Sequence, residues 1–256
     1  MTDLAVLGID AAWTPSNPSG VAVVSREGRQ WRLNLVAGSY GAFLEATGES
    51  ASLTAAAGRL AGAPTAVVAV DMPLSRAPIT GRRAADDAVS HAYGTRKCAT
   101  HTPSATRPGA VGRDLQARLM QDGYALCTTR VSPPCLIEVY PHPALLSLTG
   151  ARERLPYKAG RTRSYWPGLP IAERRVRLLE TWRVITRKLE ERIASVLSAL
   201  PLPDASARGA ALKAYEDQLD AVVCAWVGIE ALEGRARPYG DETAAIWIPD
   251  ETPTAP

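Results

Sequence analysis

The sequence predicts an α/β fold built on a mixed five-stranded sheet, with three antiparallel strands first, parallel crossovers after them, and flanking helices. Three observations carry that expectation. Residues 4–35 hold three short apolar stretches separated by turn formers, as an antiparallel meander requires. Ala66-Val67-Val68-Ala69-Val70 is a continuous run of the kind found in strands covered on both faces in a parallel sheet. The last third of the chain holds two long helical stretches, over 171–200 and 207–233, separated by the breaker Pro201-Leu202-Pro203.

In chain order, the first strand covers 4–10 and a turn follows at Thr14-Pro15-Ser16-Asn17-Pro18-Ser19-Gly20. Residues 21–24 return as the second arm of a hairpin. Beyond Arg26-Glu27-Gly28-Arg29, the residues Trp31, Leu33 and Leu35 alternate with Arg32 and Asn34, the period-two signature of a half-exposed strand. An alanine- and leucine-rich helix is expected over 43–61, stopped by Gly62-Ala63-Pro64. The strand at 66–71 comes next, and crossover handedness makes it parallel to the first. Residues 72–112 are rich in Pro, Gly, Ser and Thr with one helix at 83–93, which reads as a segment inserted above the sheet. A helix over 112–124 leads to the fifth strand, Cys135-Leu136-Ile137-Glu138-Val139-Tyr140, ended by Pro141 and Pro143. After the two long helices, 245–248 adds a small closing strand and 250–256 a polar tail. This order of elements is that of an RNase H-like fold, expected as one domain over 1–249.

The 256 residues are 46% hydrophobic and 21% charged, which excludes a disordered or fibrous chain. No apolar run approaches the roughly 18 residues of a membrane span, and the start of the chain lacks the basic and apolar regions of a secretory signal. The expected location is therefore the cytoplasm. Cys98, Cys127, Cys135 and Cys224 are scattered, a spacing that fits neither a disulfide framework nor a zinc knuckle. The net charge of +3 hides an asymmetry: residues 151–192 hold 12 basic and 5 acidic side chains, whereas 213–256 hold 3 and 9. The basic stretch reads as a polyanion-binding face or as a solvated helix surface.

Four carboxylates fall where a carboxylate is costly. Asp10 ends the first strand, Asp71 ends the most apolar one, Glu138 lies inside the fifth, and Asp220 interrupts the apolar run at 219–227. Buried acids need partners, and functional groups in open α/β sheets gather at the carboxyl ends of strands. Taken singly, Asp10 and Asp71 also read as loop caps and Glu138 as an exposed strand residue. Together, Asp10, Asp71, Glu138 and Asp220 form an oxygen-donor set for Mg²⁺ or Mn²⁺, and one or two such ions serve phosphodiester hydrolysis. Asp217, three residues before Asp220, is an alternative ligand and a further catalytic candidate. Lys158, Arg161 and Arg163, beside Tyr165 and Trp166, form a candidate clamp for phosphates and unpaired bases. His142 is a candidate phosphate contact or proton carrier.

The segments Leu7-Gly8-Ile9-Asp10, Val70-Asp71-Met72-Pro73-Leu74, Ile137-Glu138-Val139-Tyr140-Pro141-His142 and Asp217-Gln218-Leu219-Asp220-Ala221 resemble the signature blocks of domain-of-unknown-function family 429. The resemblance runs from residue 4 to about 249 and includes Leu155-Pro156-Tyr157-Lys158. It implies an RNase H fold and a metal-dependent nuclease activity, with Asp10, Asp71, Glu138 and Asp217 or Asp220 as the acids. Many relatives carry Glu-x-His-Pro-Glu where this chain has Glu138-Val139-Tyr140-Pro141-His142, so Tyr140 replaces their histidine and His142 their second acid.

The leading expectation is a Mg²⁺- or Mn²⁺-dependent nuclease acting on RNA, DNA or a hybrid. One alternative is a non-catalytic module of the same fold that binds nucleic acid or protein. The other is an actin-like or sugar-kinase-like phosphotransferase, which also opens with Gly-x-Asp but needs glycine-rich phosphate loops. Here Ala11-Ala12-Trp13 follows Asp10 instead. Gly-x-Ser-x-Gly is absent as well, which argues against a serine hydrolase.

Overall fold

The computed structural model describes residues 3–49, 52–204 and 206–251. The chain opens with the expected meander of β1 (Ala5–Asp10), β2 (Gly20–Glu27) and β3 (Gln30–Ala37). The single helix expected over 43–61 divides into α1 (Tyr40–Thr47) and α2 (Leu53–Ala61). Gly48 turns left-handed at φ 65° and closes the first, while the Ser52 hydroxyl caps the second by accepting from the Ala55 N–H. These local caps interrupt the alanine-rich stretch that reads as one helix in the sequence. Residues 50 and 51 of that expected helix lie outside the described residues.

Next come β4 (Thr65–Val70), α3 (Ala84–Tyr93), α4 (Ala110–Gln121), β5 (Ala125–Leu126), β6 (Cys135–Val139) and α5 (Pro141–Thr149). After the short α6 (Thr162–Tyr165), the helix expected over 171–200 ends early. It becomes α7 (Ile171–Glu190), β7 (Ile193–Ala194) and the one-turn α8 (Val196–Ala199). The chain finishes with α9 (Ala210–Leu232), β8 (Ala236–Gly240) and β9 (Ala245–Pro249). Of the polar tail, 252–256 lie outside the described residues. No helix among the described residues is long and apolar enough to cross a membrane.

The sheet is mixed and larger than the five strands expected: among the described residues it has nine, in the order β7-β3-β2-β1-β4-β6-β9-β8, with β5 also on β6. β1 runs antiparallel to β2 and parallel to β4, which is parallel to β6. β5 pairs with the first half of β6 and β9 with its last two residues, Glu138 and Val139. Of the four strands beyond those five, β9 falls at the closing strand expected over 245–248, and the other three carry weak sequence signals. β5 and β7 have two residues each, too few for a period, and β8 contains a proline, which suits an edge strand.

Alternation along each strand sends side chains to two apolar layers. Val6, Ala22, Val67, Ala69, Ile137 and Val139 face α5, α7 and α9. Leu7, Ile9, Val21, Val68, Val70 and Leu136 face α1, α2 and α4. A third cluster joins α3 to β9 through Ala85, Val89, Tyr93, Ile246 and Ile248.

Helix α9 lies directly on the backbone of β1 and β2, and two glycines make room for it. A Cβ on Gly8 would stand 2.2 Å from the Ala221 carbonyl oxygen, and one on Gly20 would stand 2.1 Å from that of Asp217. Both collisions are with backbone, so the helix itself would have to shift. Gly8→Ala is expected to lower stability by about 1–3 kcal/mol. Gly41→Ala, in open space on α1, is expected to leave stability unchanged or raise it by up to about 1 kcal/mol. Denaturant melts of both variants check the pair, and equal effects would contradict the close approach.

Candidate functional site

Strand parity decides which acids meet. Val6, Gly8 and Asp10 alternate onto the α9 face of β1, as do Val67, Ala69 and Asp71 along and just past β4. The last register pair, Ile9 with Val70, and the 2.9 Å bond from the Asp71 N–H to the Ile9 carbonyl bring Asp10 and Asp71 side by side. Both carboxylates are partly buried. Neither accepts a hydrogen bond from another described residue. Burial, then the neighbouring Asp220, drives the Asp10 pKa well above its usual value, with Lys158 opposing. Burial likewise pushes Asp71 up to about 7; Lys158 works against the rise, and Asp220 and Glu138 add to it.

Helix α9 delivers three further acids to the same place, because 213, 216, 217 and 220 share one helical face. Asp220 is fully buried and both its oxygens are occupied: Oδ1 accepts from the Tyr157 hydroxyl at 2.9 Å, and Oδ2 pairs with the Lys158 ammonium. Glu216 accepts from Lys213 Nζ at 3.1 Å and from the Ala159 N–H, and its Oε1 lies 3.4 Å from Lys158 Nζ. Asp217 pairs with Lys213. Burial works to lower the Lys158 pKa, but Asp220, Tyr157, Glu216 and Asp10 outweigh it and hold the ammonium charged. The Cys224 thiol, four residues after Asp220, is buried beside Asp71, Asp10 and Asp220, and burial and these acids raise its pKa.

Glu138 lies near enough to Asp71 to raise its pKa, but its oxygens are engaged elsewhere. It pairs in register with Val70 and so faces the opposite layer from Asp71. There Arg83 holds both its oxygens, at 2.6 and 2.7 Å, and the Leu74 N–H donates to it at 2.8 Å. The same guanidinium grips Asp86. Burial raises the Glu138 pKa, and Arg83 counters it.

The expected phosphate clamp divides as well. Lys158 belongs to the carboxylate cluster, whereas Arg161 and Arg163 are exposed on the turn leading into α6 and in α6 itself. Trp166 packs on the apolar layer, with Tyr165 edge-on to it. His142 is buried against Tyr140 and Tyr157 with no partner for Nδ1. Burial, then Lys158 and Arg154, lowers its pKa well below the usual value, so it stays neutral. Just past the two strand ends, a groove of about 420 Å³ begins at Ala12 and Met72 and runs along Tyr40 and Arg118.

The donor chemistry fits a hard divalent cation at Asp10 and Asp71. These are two adjacent oxygen donors of like charge that no group among the described residues neutralises through a hydrogen bond, and Mg²⁺ is commonly held by one or two carboxylates plus water. A ready-made cage is a different matter. Among the described residues, no three His, Cys, Asp or Glu side chains come together in a way that could hold an ion as they stand, and Asp220 is occupied by Lys158 and Tyr157.

A stability change follows from the raised Asp71 pKa. The folded chain keeps this proton up to about pH 7, whereas an ordinary aspartate loses it near 3.8. The contribution to stability is full below the unfolded value and is lost as pH rises through the folded one. Asp71→Asn is therefore expected to raise the metal-free melting temperature more at pH 8 than at pH 5. Calorimetric melts at the two pH values check this, and an increment that does not grow with pH would contradict it.

Sequence reading missed Tyr157, Glu216, Lys213, Cys224 and Arg83. Spacings of three and four residues around Asp217 and Asp220 could have found the α9 members. Nothing local in the sequence joins Arg83 to Glu138, 55 positions away. No match is found among curated proteins or among solved structures. A family model described as "Protein of unknown function (DUF429)" matches residues 8–244, a span that takes in Asp10, Asp71, Glu138, Lys158 and Asp220, and the chain belongs to that family.

Proposed function

We propose that this protein is a divalent-cation-dependent nuclease that hydrolyses phosphodiester bonds of nucleic acid. The observation that carries the reading is the pairing of Asp10 and Asp71 at adjacent parallel strand ends, half-buried and without a hydrogen-bond donor among the described residues. The meander followed by parallel crossovers, in the order β3-β2-β1-β4-β6, supports an RNase H-like reading of the fold.

In this reading Asp10 and Asp71 hold Mg²⁺ or Mn²⁺, which supplies Lewis-acid stabilisation of charge on the scissile phosphate. Lys158 adds a fixed ammonium beside them, kept in place by Asp220 and Glu216. Tyr157 holds Asp220 by its hydroxyl, and Arg161 and Arg163 offer exposed guanidinium forks to neighbouring phosphates. His142, neutral and buried, orders the Tyr140–Tyr157 wall.

A non-catalytic binding module is the competing reading, and the lysine-neutralised acids of α9 favour it. A cleavage panel separates the two: single-stranded, duplex, hybrid and branched substrates with Mg²⁺ or Mn²⁺, against Asp10→Asn with Asp71→Asn as control. Cation-dependent cleavage lost in the control supports the nuclease. No cleavage of any substrate, or cleavage equal in both proteins, removes it.

A further inference from the structure

We propose that Lys158 takes the place of a second metal ion: the site binds one divalent cation, on Asp10 and Asp71, and the Lys158 ammonium is the second positive centre for the scissile phosphate. This rests on the nuclease reading above and specifies its chemistry.

The donor inventory points this way. Among the described residues, Asp10 and Asp71 are the acids near the strand ends that keep both side-chain oxygens free of protein donors. Asp220 is taken at both oxygens, and Glu216 by two lysines and a backbone N–H. Asp217 is held at Oδ1 by Lys213, and Glu138 at both oxygens by Arg83 and Leu74. Two free carboxylates match the charge of one divalent ion. A second ion of the usual two-ion arrangement needs carboxylates near the first, and those nearest are the ones Lys158 neutralises.

Lys158 is also built in rather than draped over the site. Its side chain is 21% exposed. The residue before it, Tyr157, is fully buried, with its carbonyl accepting from Trp182 Nε1 at 2.8 Å and its ring 5.0 Å from the Lys158 ammonium. The residue after it, Ala159, donates its N–H to Glu216. The backbone on both sides is thus tied to α7 and α9, and a compact ammonium is a point charge suited to phosphate.

Titration calorimetry with Mn²⁺ tests the inference on the full chain. The wild type is expected to bind one ion, Lys158→Met two because Asp220 Oδ2 is freed and Glu216 loses one of its two lysines, and Lys158→Arg one. In the cleavage assay Lys158→Met is expected to lose on the order of 10²–10³-fold, as when one charge-stabilising donor is removed. Two ions in the wild type, or one in folded Lys158→Met, overturn the inference and leave the nuclease reading standing. No ion and no cleavage in the wild type remove the nuclease reading itself. Should Lys158→Met fail to fold by circular dichroism, Lys158→Gln carries the same test, and the wild-type stoichiometry decides independently.

Discussion

Replacing Asp10 and Asp71 together by Asn is expected to abolish Mn²⁺ binding and to lower cleavage by on the order of 10³-fold or more, at the top of the range for losing a principal charge-stabilising group. Asn keeps the volume and one oxygen of Asp but removes the charge that attracts the cation. The same variant is expected to gain stability without metal, since two like charges that burial already penalises are removed. Each kcal/mol regained raises the melting temperature by about 2–4 °C in a chain of this size. A loss of activity with higher stability separates a functional site from a structural one. Calorimetric titration, melts and the cleavage assay read the three quantities, and a variant that melts lower and still binds Mn²⁺ would contradict the assignment of these two acids.

The largest expected stability loss lies elsewhere, at Arg83. Its guanidinium is 8% exposed and holds Glu138 and Asp86, themselves 5% and 2% exposed. Arg83→Met leaves two buried carboxylates without their shared cation. Breaking such a network typically costs about 3–5 kcal/mol, or a fall of roughly 6–20 °C in melting temperature. Adding Glu138→Gln to that variant is expected to recover part of the loss, because an uncharged amide needs no counter-ion. Glu138→Gln alone is expected to leave the Mn²⁺ stoichiometry unchanged, as its oxygens serve Arg83 and the Leu74 N–H. Melts followed by circular dichroism and a Mn²⁺ titration check both statements. A loss under about 1 kcal/mol for Arg83→Met, the range of a solvated surface pair, would contradict the buried network.

The strands with strong patterns were legible: β1, β2, β3, β4 and β6 all fall where alternation or a continuous apolar run predicts them. The division of 43–61 at Gly48 and Ser52 was present in the sequence as a left-handed glycine and a serine cap, but the alanine-rich composition on both sides masked it. The early end of α7 was not legible, because β7 gains its identity only from pairing with β3. Asp10, Asp71 and Asp220 stood out because a carboxylate in an apolar run is anomalous by itself. Glu138 stood out for the same reason, and the anomaly is real, since a buried arginine is needed to neutralise it.

By itself, then, the sequence determined the strand-forming runs, the positions of the costly acids and the family, since all three depend on residue type and short-range order. Tertiary structure alone decided which acids share a site. Parity along β6 turns Glu138 to the face opposite Asp71, Gly8 and Gly20 let α9 come close enough to bring Asp220 near Asp10, and the buried backbone around Lys158 sets its ammonium among them. Each of these depends on distances between residues far apart in the chain, and electrostatic interaction falls with distance in space, whatever the separation in sequence.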